Sequence, residues 1–84
     1  MADVNRQETR DTIIDVVAKK LNVEKSAVDK AHSFQELGAD SLDMVEIIMK
    51  LEEEFGIEIN DADAEKLTTL NQAAEYVNNL RSKK

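Results

Sequence analysis

The sequence predicts an all-α fold, a four-helix bundle with a short third helix and a long loop between the first two helices. Two segments, near the N-terminus and after Asp40, carry apolar residues at the three- and four-residue spacing of an amphipathic helix. Asp40 and Thr69 are suitable helix caps, and Gly56 is a suitable helix end. The 84 residues suffice for one domain. We expect that domain to span residues 1–84, with frayed ends over the first few residues and over 81–84.

The first helix is predicted over Arg6–Leu21, because Ile13, Val17 and Leu21 recur at the helical spacing. A polar connection follows over residues 22–40, which is long for so small a domain. Its segment EKSAVDKA has room for a short helical turn. We expect the apolar residues of the connection to attach it to the core: Val23, Val28, Phe34 and Leu37.

The second helix is predicted over Ser41–Phe55, with Asp40 as its N-cap and Asp43 in the first turn, where the helix dipole favours negative charge. One apolar stripe of this helix should face the core: Met44, Ile47, Ile48, Leu51 and Phe55. A second stripe lies on the opposite side, beside Glu46 and Glu53: Leu42, Val45 and Met49. This outer stripe is either buried under the long loop or exposed as a docking surface with an acidic rim.

A short extended bridge, GIEIN, leads to the C-terminal helices. Asn60 is placed to cap a brief third helix over residues 61–67. Thr69 opens the fourth helix, predicted over 69–80, and Gln72 stands three residues later, which is the spacing of a capping box.

Negative charge is concentrated in one third of the chain. The net charge is -7, and residues 40–66 hold ten acids and two bases. This distribution argues against nucleic acid as a partner and favours basic protein surfaces, although an acidic face can also serve only solubility.

No cysteine is present, so disulfides and zinc–thiolate sites are excluded. The N-terminus has no pattern of a secretory signal or transit peptide, and no apolar run approaches the length of a membrane span. We therefore expect a cytoplasmic protein, a monomer, that does not insert into membranes.

Ser41 is open to three interpretations: a catalytic nucleophile, a helix-start residue or an attachment point. The glycines of a hydrolase nucleophile elbow are missing, since Ala39 and Asp43 occupy their positions. The only histidine, His32, lies in the polar loop with no acid evidently placed to orient it. No catalytic residue is therefore predicted, and the protein is not expected to be an enzyme.

A calcium-binding loop beginning at Asp61 is also excluded, because its sixth position is Lys66 rather than glycine and its twelfth is Gln72 rather than glutamate. With two glycines in the chain, no glycine-rich phosphate loop is present. No metal site is predicted.

The stretch ELGADSLDMVE, followed by EEEFGIEI and then AEKLTT, resembles the acyl carrier proteins of dissociated (type II) fatty acid synthesis. The resemblance covers nearly the whole chain and is strongest from Leu37 to Tyr76. It implies that Ser41 accepts 4'-phosphopantetheine from coenzyme A, through a phosphopantetheinyl transferase, and that the thiol of this arm carries growing acyl chains as thioesters. The implied partners are fatty acid synthesis enzymes and acyltransferases with basic docking patches.

The resemblance also implies two further sets of residues. Recognition and docking would involve Asp40, Leu42, Val45, Glu46, Met49 and Glu53. An acyl tail would lie among Leu51, Phe55, Ile59, Ala64, Leu67 and Ala73.

The chain departs from many relatives at two places. Two residues rather than three separate Phe34 from Leu37, so the loop before Ser41 is expected to follow a different path, and Asn60 stands where relatives have proline. Two alternatives stay open: a carrier for polyketide or lipid-modification chemistry, and an unmodified acidic interaction module.

Overall fold

Five α-helices and one 3-10 helix account for most of the chain in the computed structural model, which describes residues 6–82. Within this range there is no strand, so the predicted all-α class is confirmed. The helices are α1 Arg6–Leu21, α2 Lys25–Lys30, α3 Ser41–Phe55, α4 Asp61–Ala64 and α5 Leu70–Ser82, and the 3-10 helix is Phe34–Leu37. The two long helices α1 and α3 have the bounds that the sequence predicts.

Helix α1 is the centre of the bundle and packs against α5, α3 and α2. A helix in contact on three sides needs a wide apolar arc rather than a narrow stripe. The sequence of α1 supplies this arc through five consecutive or nearly consecutive buried residues: Ile13, Ile14, Val16, Val17 and Ala18.

The connection between α1 and α3 is more ordered than the long loop that the sequence predicts. It contains α2 and the 3-10 helix, and its apolar residues attach it to the core as expected, with Val28 and Phe34 buried and Val23 and Leu37 partly buried. The Arg10 side chain adds a polar tie, because its guanidinium donates to Asp29 Oδ1 at 2.9 Å and to Asn71 Oδ1 at 2.8 Å.

The short helix α4 is capped by Asn60, whose side chain accepts a 2.8 Å hydrogen bond from the Asp63 N–H. It ends at Ala64, three residues earlier than predicted. The predicted capping box at the start of α5 is present, since the Thr69 hydroxyl accepts from the Gln72 N–H and the Gln72 side chain accepts from the Thr69 N–H.

The prediction of a frayed C-terminus is wrong for Arg81, because α5 continues to Ser82. The Arg81 guanidinium donates to Thr9 Oγ1 at 2.7 Å, approaches Glu8 Oε1 at 3.4 Å and lies 5.3 Å from the ring centroid of Phe55. These partners come from α1 and α3, so nothing in the local sequence of α5 indicates them. The rest of the frayed-end prediction, over residues 1–5 and 83–84, lies outside the described residues.

None of the helices described between residues 6 and 82 combines the length and the apolar character needed to cross a membrane.

Candidate functional site

Ser41 stands at the first position of α3, at the end of a firmly held turn. Phe34 is 3% exposed, and its backbone N–H donates to the Thr68 carbonyl at 2.9 Å, which attaches the shortened loop to the segment before α5. Gly38 ends the 3-10 helix in the left-handed conformation, with φ of 89°. Glycine adopts this conformation without the steric strain that a Cβ causes in most other residues. The Ala39 N–H then returns to the Phe34 carbonyl at 3.3 Å. The turn therefore presents Ser41 at a fixed place.

Two aspartates cap the helix on either side of Ser41. The Asp40 carboxylate accepts a hydrogen bond from the Asp43 N–H at 2.8 Å, and the Asp43 carboxylate accepts one from the Asp40 N–H at 3.3 Å. This capping box uses aspartate where glutamate or glutamine is usual. The sequence identified Asp40 as the N-cap but indicated for Asp43 only a negative charge in the first turn. The three-residue spacing of the two acids could have predicted the capping box.

The Ser41 side chain is exposed, and the described residues offer its hydroxyl no hydrogen-bond partner. His32 is also exposed, and its backbone N–H donates a hydrogen bond to Glu36 Oε1 at 3.1 Å. Within residues 6–82 no side chain is therefore seen hydrogen-bonded to the Ser41 hydroxyl as a general base would be. Nor do these residues include a group of three or more His, Asp or Glu side chains that could hold a metal ion.

The outer stripe of α3 begins immediately after Ser41 and is open to solvent. Leu42 is 67% exposed, and Val45 and Met49 are each 53% exposed. These are the exposed large hydrophobic residues of the described chain, and they form one surface. The alternative that the long loop buries this stripe is wrong.

The two glutamates of the acidic rim differ from one another. Glu46 is half-buried and forms an ion pair with Lys20 of α1. Glu53 is exposed and lies 3.8 Å from Lys50 of its own helix. Lys20 is distant in sequence, so no local pattern indicated this pair.

The residues expected around an acyl tail belong to the hydrophobic core cluster or pack against it. Leu51, Ile59, Leu67 and Ala73 are buried, whereas Phe55 and Ala64 are partly buried against the same cluster. Two hydrogen bonds that the sequence did not indicate involve residues at or next to this set: the Ile59 N–H donates to Glu52 Oε2 at 2.8 Å, and the Tyr76 hydroxyl donates to Asp63 Oδ2 at 2.7 Å.

Comparison with known proteins decides the family. The family model described as "Phosphopantetheine attachment site" matches residues 11–77. An acyl carrier protein from Enterococcus faecalis has a similar structure, with a TM-score of 0.74 and 32% sequence identity, over 90% of this chain and 98% of that one. The chain belongs to the acyl carrier protein family. The resemblance found in the sequence is thereby confirmed, and because carriers of this family are not catalysts, the prediction that the protein is not an enzyme is supported as well.

A second similar structure is an HMG-ACPI domain from the CurA module of Lyngbya majuscula. Its TM-score is 0.82 at 21% identity, covering 95% of the carrier described here and 81% of that chain. At this identity the likeness concerns the fold alone.

The acyl carrier family bears covalently attached 4'-phosphopantetheine, and the start of α3 fits such a group. The phosphodiester needs an exposed hydroxyl, which Ser41 offers, and its negative charge suits the first turn of a 15-residue helix. The carboxylates of Asp40 and Asp43 oppose this effect, because they are negative and already accept hydrogen bonds from the Asp43 and Asp40 N–H groups, so the fit rests on the exposed hydroxyl.

Proposed function

We propose that Ser41 carries the 4'-phosphopantetheine and that the protein delivers growing fatty acyl chains, as thioesters, to the enzymes of type II fatty acid synthesis. In this proposal it acts as a cytoplasmic monomer. The observation that carries the proposal is the exposed Ser41 hydroxyl, held by the turn from Phe34 to Asp40 at the start of α3. A carrier needs an accessible serine at a defined place, whereas its activation is the task of the transferase.

The outer stripe of α3 supports the second part of the proposal, docking to partner enzymes. Exposed apolar side chains beside charged ones are typical of protein-interaction surfaces. The proposed recognition surface starts at Asp40 next to the attachment residue, so a partner bound there would face the arm. It consists of Asp40, Leu42, Val45, Glu46, Met49 and Glu53. The basic docking patch of a transferase or a synthesis enzyme complements its charge.

The proposed acyl site lies on the opposite side of α3, where an apolar tail would be withdrawn from water. Its residues belong to one continuous apolar cluster: Leu51, Phe55, Ile59, Ala64, Leu67 and Ala73. The assignment to fatty acid synthesis rests on the resemblance of the ELGADSLDMVE and EEEFGIEI segments to carriers of that pathway.

The first prediction concerns Ser41. Incubation with coenzyme A and a phosphopantetheinyl transferase should add one phosphopantetheine to the wild type, measured by intact mass. Ser41→Ala should stay unmodified and folded, because the side chain makes no contact on which the fold depends. Ser26→Ala, an exposed serine in α2, is the matched control and should load like the wild type. Loading of Ser41→Ala would refute the assignment.

The pathway needs a separate measurement. The loaded protein should support chain elongation by purified type II fatty acid synthesis enzymes, read out as acyl products of increasing length. Loading without elongation would indicate a carrier for another acyl pathway, and absence of loading would indicate an unmodified interaction module.

A further inference from the structure

An ion pair between Lys20 and Glu46 joins the last turn of α1 to the outer face of α3. Both side chains keep part of their contact with water, at 37% exposure for Lys20 and 43% for Glu46. A pair at this level of exposure contributes little to stability and exchanges partners readily. It can therefore open without disturbing the hydrophobic core.

Glu46 occupies a central place in the proposed docking face. It lies three residues before Met49 and four after Leu42, so its side chain neighbours both on the helix surface. A cationic partner group that binds at this apolar stripe would therefore lie next to the Glu46 carboxylate. Lys20 already occupies that carboxylate.

Glu53 provides the contrast within the same face. Its side chain is 70% exposed, and its distance of 3.8 Å from Lys50 Nζ spans neighbouring turns of one helix. The Glu53 carboxylate is thus more exposed and forms only a long ion pair within its own helix, whereas Glu46 is paired with another helix of the same molecule.

We propose that Lys20 is an intramolecular competitor for Glu46 and lowers the attraction of the docking face for basic partners. This inference rests on the proposed docking function. The partner group best suited to displace Lys20 is an arginine on a protein surface, because its planar guanidinium can bind a carboxylate with two hydrogen bonds whereas an ammonium acts as a point charge. Lys20 consequently favours arginine-bearing partners over surfaces with diffuse lysine charge.

The chain offers a matched control for this competition. Lys19 stands beside Lys20 in the last turn of α1, but its ammonium pairs with Asp15 at 3.1 Å and not with Glu46. Lys19→Gln and Lys20→Gln therefore change the net charge equally. The measurement is kcat/KM for loading of the full chain by a phosphopantetheinyl transferase, at several salt concentrations, with thermal midpoints to verify folding.

Lys20→Gln should raise kcat/KM at low salt by about two- to fivefold, the range expected for release of a surface ion pair. The rise for Lys19→Gln should be clearly smaller, and added salt should reduce both. When Glu46 is also replaced by Gln, Lys20→Gln should raise kcat/KM for loading by no more than Lys19→Gln does. Equal effects of the two lysine variants in the wild-type background, or slower loading of Lys20→Gln, would overturn the inference.

Two further variants separate this inference from the docking proposal. If Glu46→Gln or Met49→Ala lowers kcat/KM while the two lysine variants behave alike, the docking face stands and the competition is wrong. If neither Glu46→Gln nor Met49→Ala changes kcat/KM, the docking face is wrong and the inference fails with it.

Discussion

At the scale of single residues, the most informative contact is the hydrogen bond from the Tyr76 hydroxyl to Asp63. It joins α5 to α4, a helix of four residues with no buried side chain of its own. The bond raises the pKa of Tyr76 to about 12, with smaller contributions from burial and from the negative charge of Asp63. A carboxylate that accepts a hydrogen bond from the hydroxyl opposes loss of the hydroxyl proton, and the same bond ties α4 to α5.

The pKa of Tyr76 gives the second prediction. Because the folded-state pKa lies above the ordinary value of 10.0, the stabilisation from this bond is complete below about pH 10 and is lost as pH rises toward about 12. Tyr76 is the only tyrosine and tryptophan is absent, so phenolate absorbance reports this residue alone. The pH midpoint of Tyr76 ionisation in the native protein should lie well above the midpoint in concentrated guanidinium chloride, where the chain is unfolded.

Two substitutions test the cause of the Tyr76 shift. Asp63→Asn should lower the pH midpoint of Tyr76 ionisation in the native protein, because the amide carries no negative charge. Tyr76→Phe should remove the part of the alkaline stability loss that is due to this residue, leaving the part due to lysines. A native midpoint equal to that of the unfolded chain would contradict the assigned bond.

At the scale of elements, α3 carries two apolar faces that differ in burial. Its inner face is packed into the core, with Ile47 and Leu51 at most 1% exposed, whereas Val45 and Met49 on the outer face are half exposed. The exposed apolar side chains of the outer face reduce solubility, and such surfaces often mark sites of protein interaction.

The third prediction compares truncations on these two faces. Leu51→Ala should lower the free energy of unfolding by roughly 2 to 5 kcal/mol, because it removes packed methyl groups from the core. Met49→Ala should change it by no more than about 0.5 kcal/mol, as expected for an exposed site. Chemical denaturation measures both values. A comparable loss in the two variants would show that the outer face is part of the core.

Met49→Ala should act on partner binding instead. The exposed side chain is expected to bury apolar area against a docked enzyme, so its truncation should speed dissociation, measured with a transferase or a synthesis enzyme. An unchanged dissociation rate would remove Met49 from the docking face while leaving the stability comparison intact.

The sequence predicted correctly the ends of those helices that are set by residues close by in the sequence. Helix α3 is bounded by the Asp40 cap and by Gly56, which adopts the left-handed conformation at φ 65°, and both signals are local. The end of α5 depends on Arg81 contacts with α1 and α3, and the pairing of Glu46 depends on Lys20. Those contacts arise only from the packing of helices distant in sequence, so periodicity and capping rules could not reveal them.

At the scale of the whole molecule, the acidic segment 40–66 opposes compactness, and it also supplies the carboxylates of the proposed docking face. With ten acids and two bases in that segment, carboxylates repel one another across the surface. The described ion pairs relieve part of this repulsion, as Lys20 does for Glu46 and Lys50 for Glu53 and Glu54.

The fourth prediction is that added salt stabilises the fold. Screening acts over about 10 Å at 0.1 M ionic strength, so the thermal midpoint should rise with sodium chloride and rise more steeply with a divalent chloride. Chloride salts are preferred, because sulfate stabilises proteins through exclusion from their surface whatever their charge. A midpoint insensitive to both cations would show that the carboxylates are too far apart to repel.

The contact of Arg81 with Thr9 and Phe55 also fixes where the chain enters and leaves the bundle. The start of α1, the end of α5 and the end of α3 meet at one pole. Ser41 lies at the other end of α3, about 22 Å away along a helix of 15 residues. A surface anchor or a fused neighbour attached before α1 or after α5 would therefore hold the protein at the pole remote from Ser41, away from the arm that we propose on that serine.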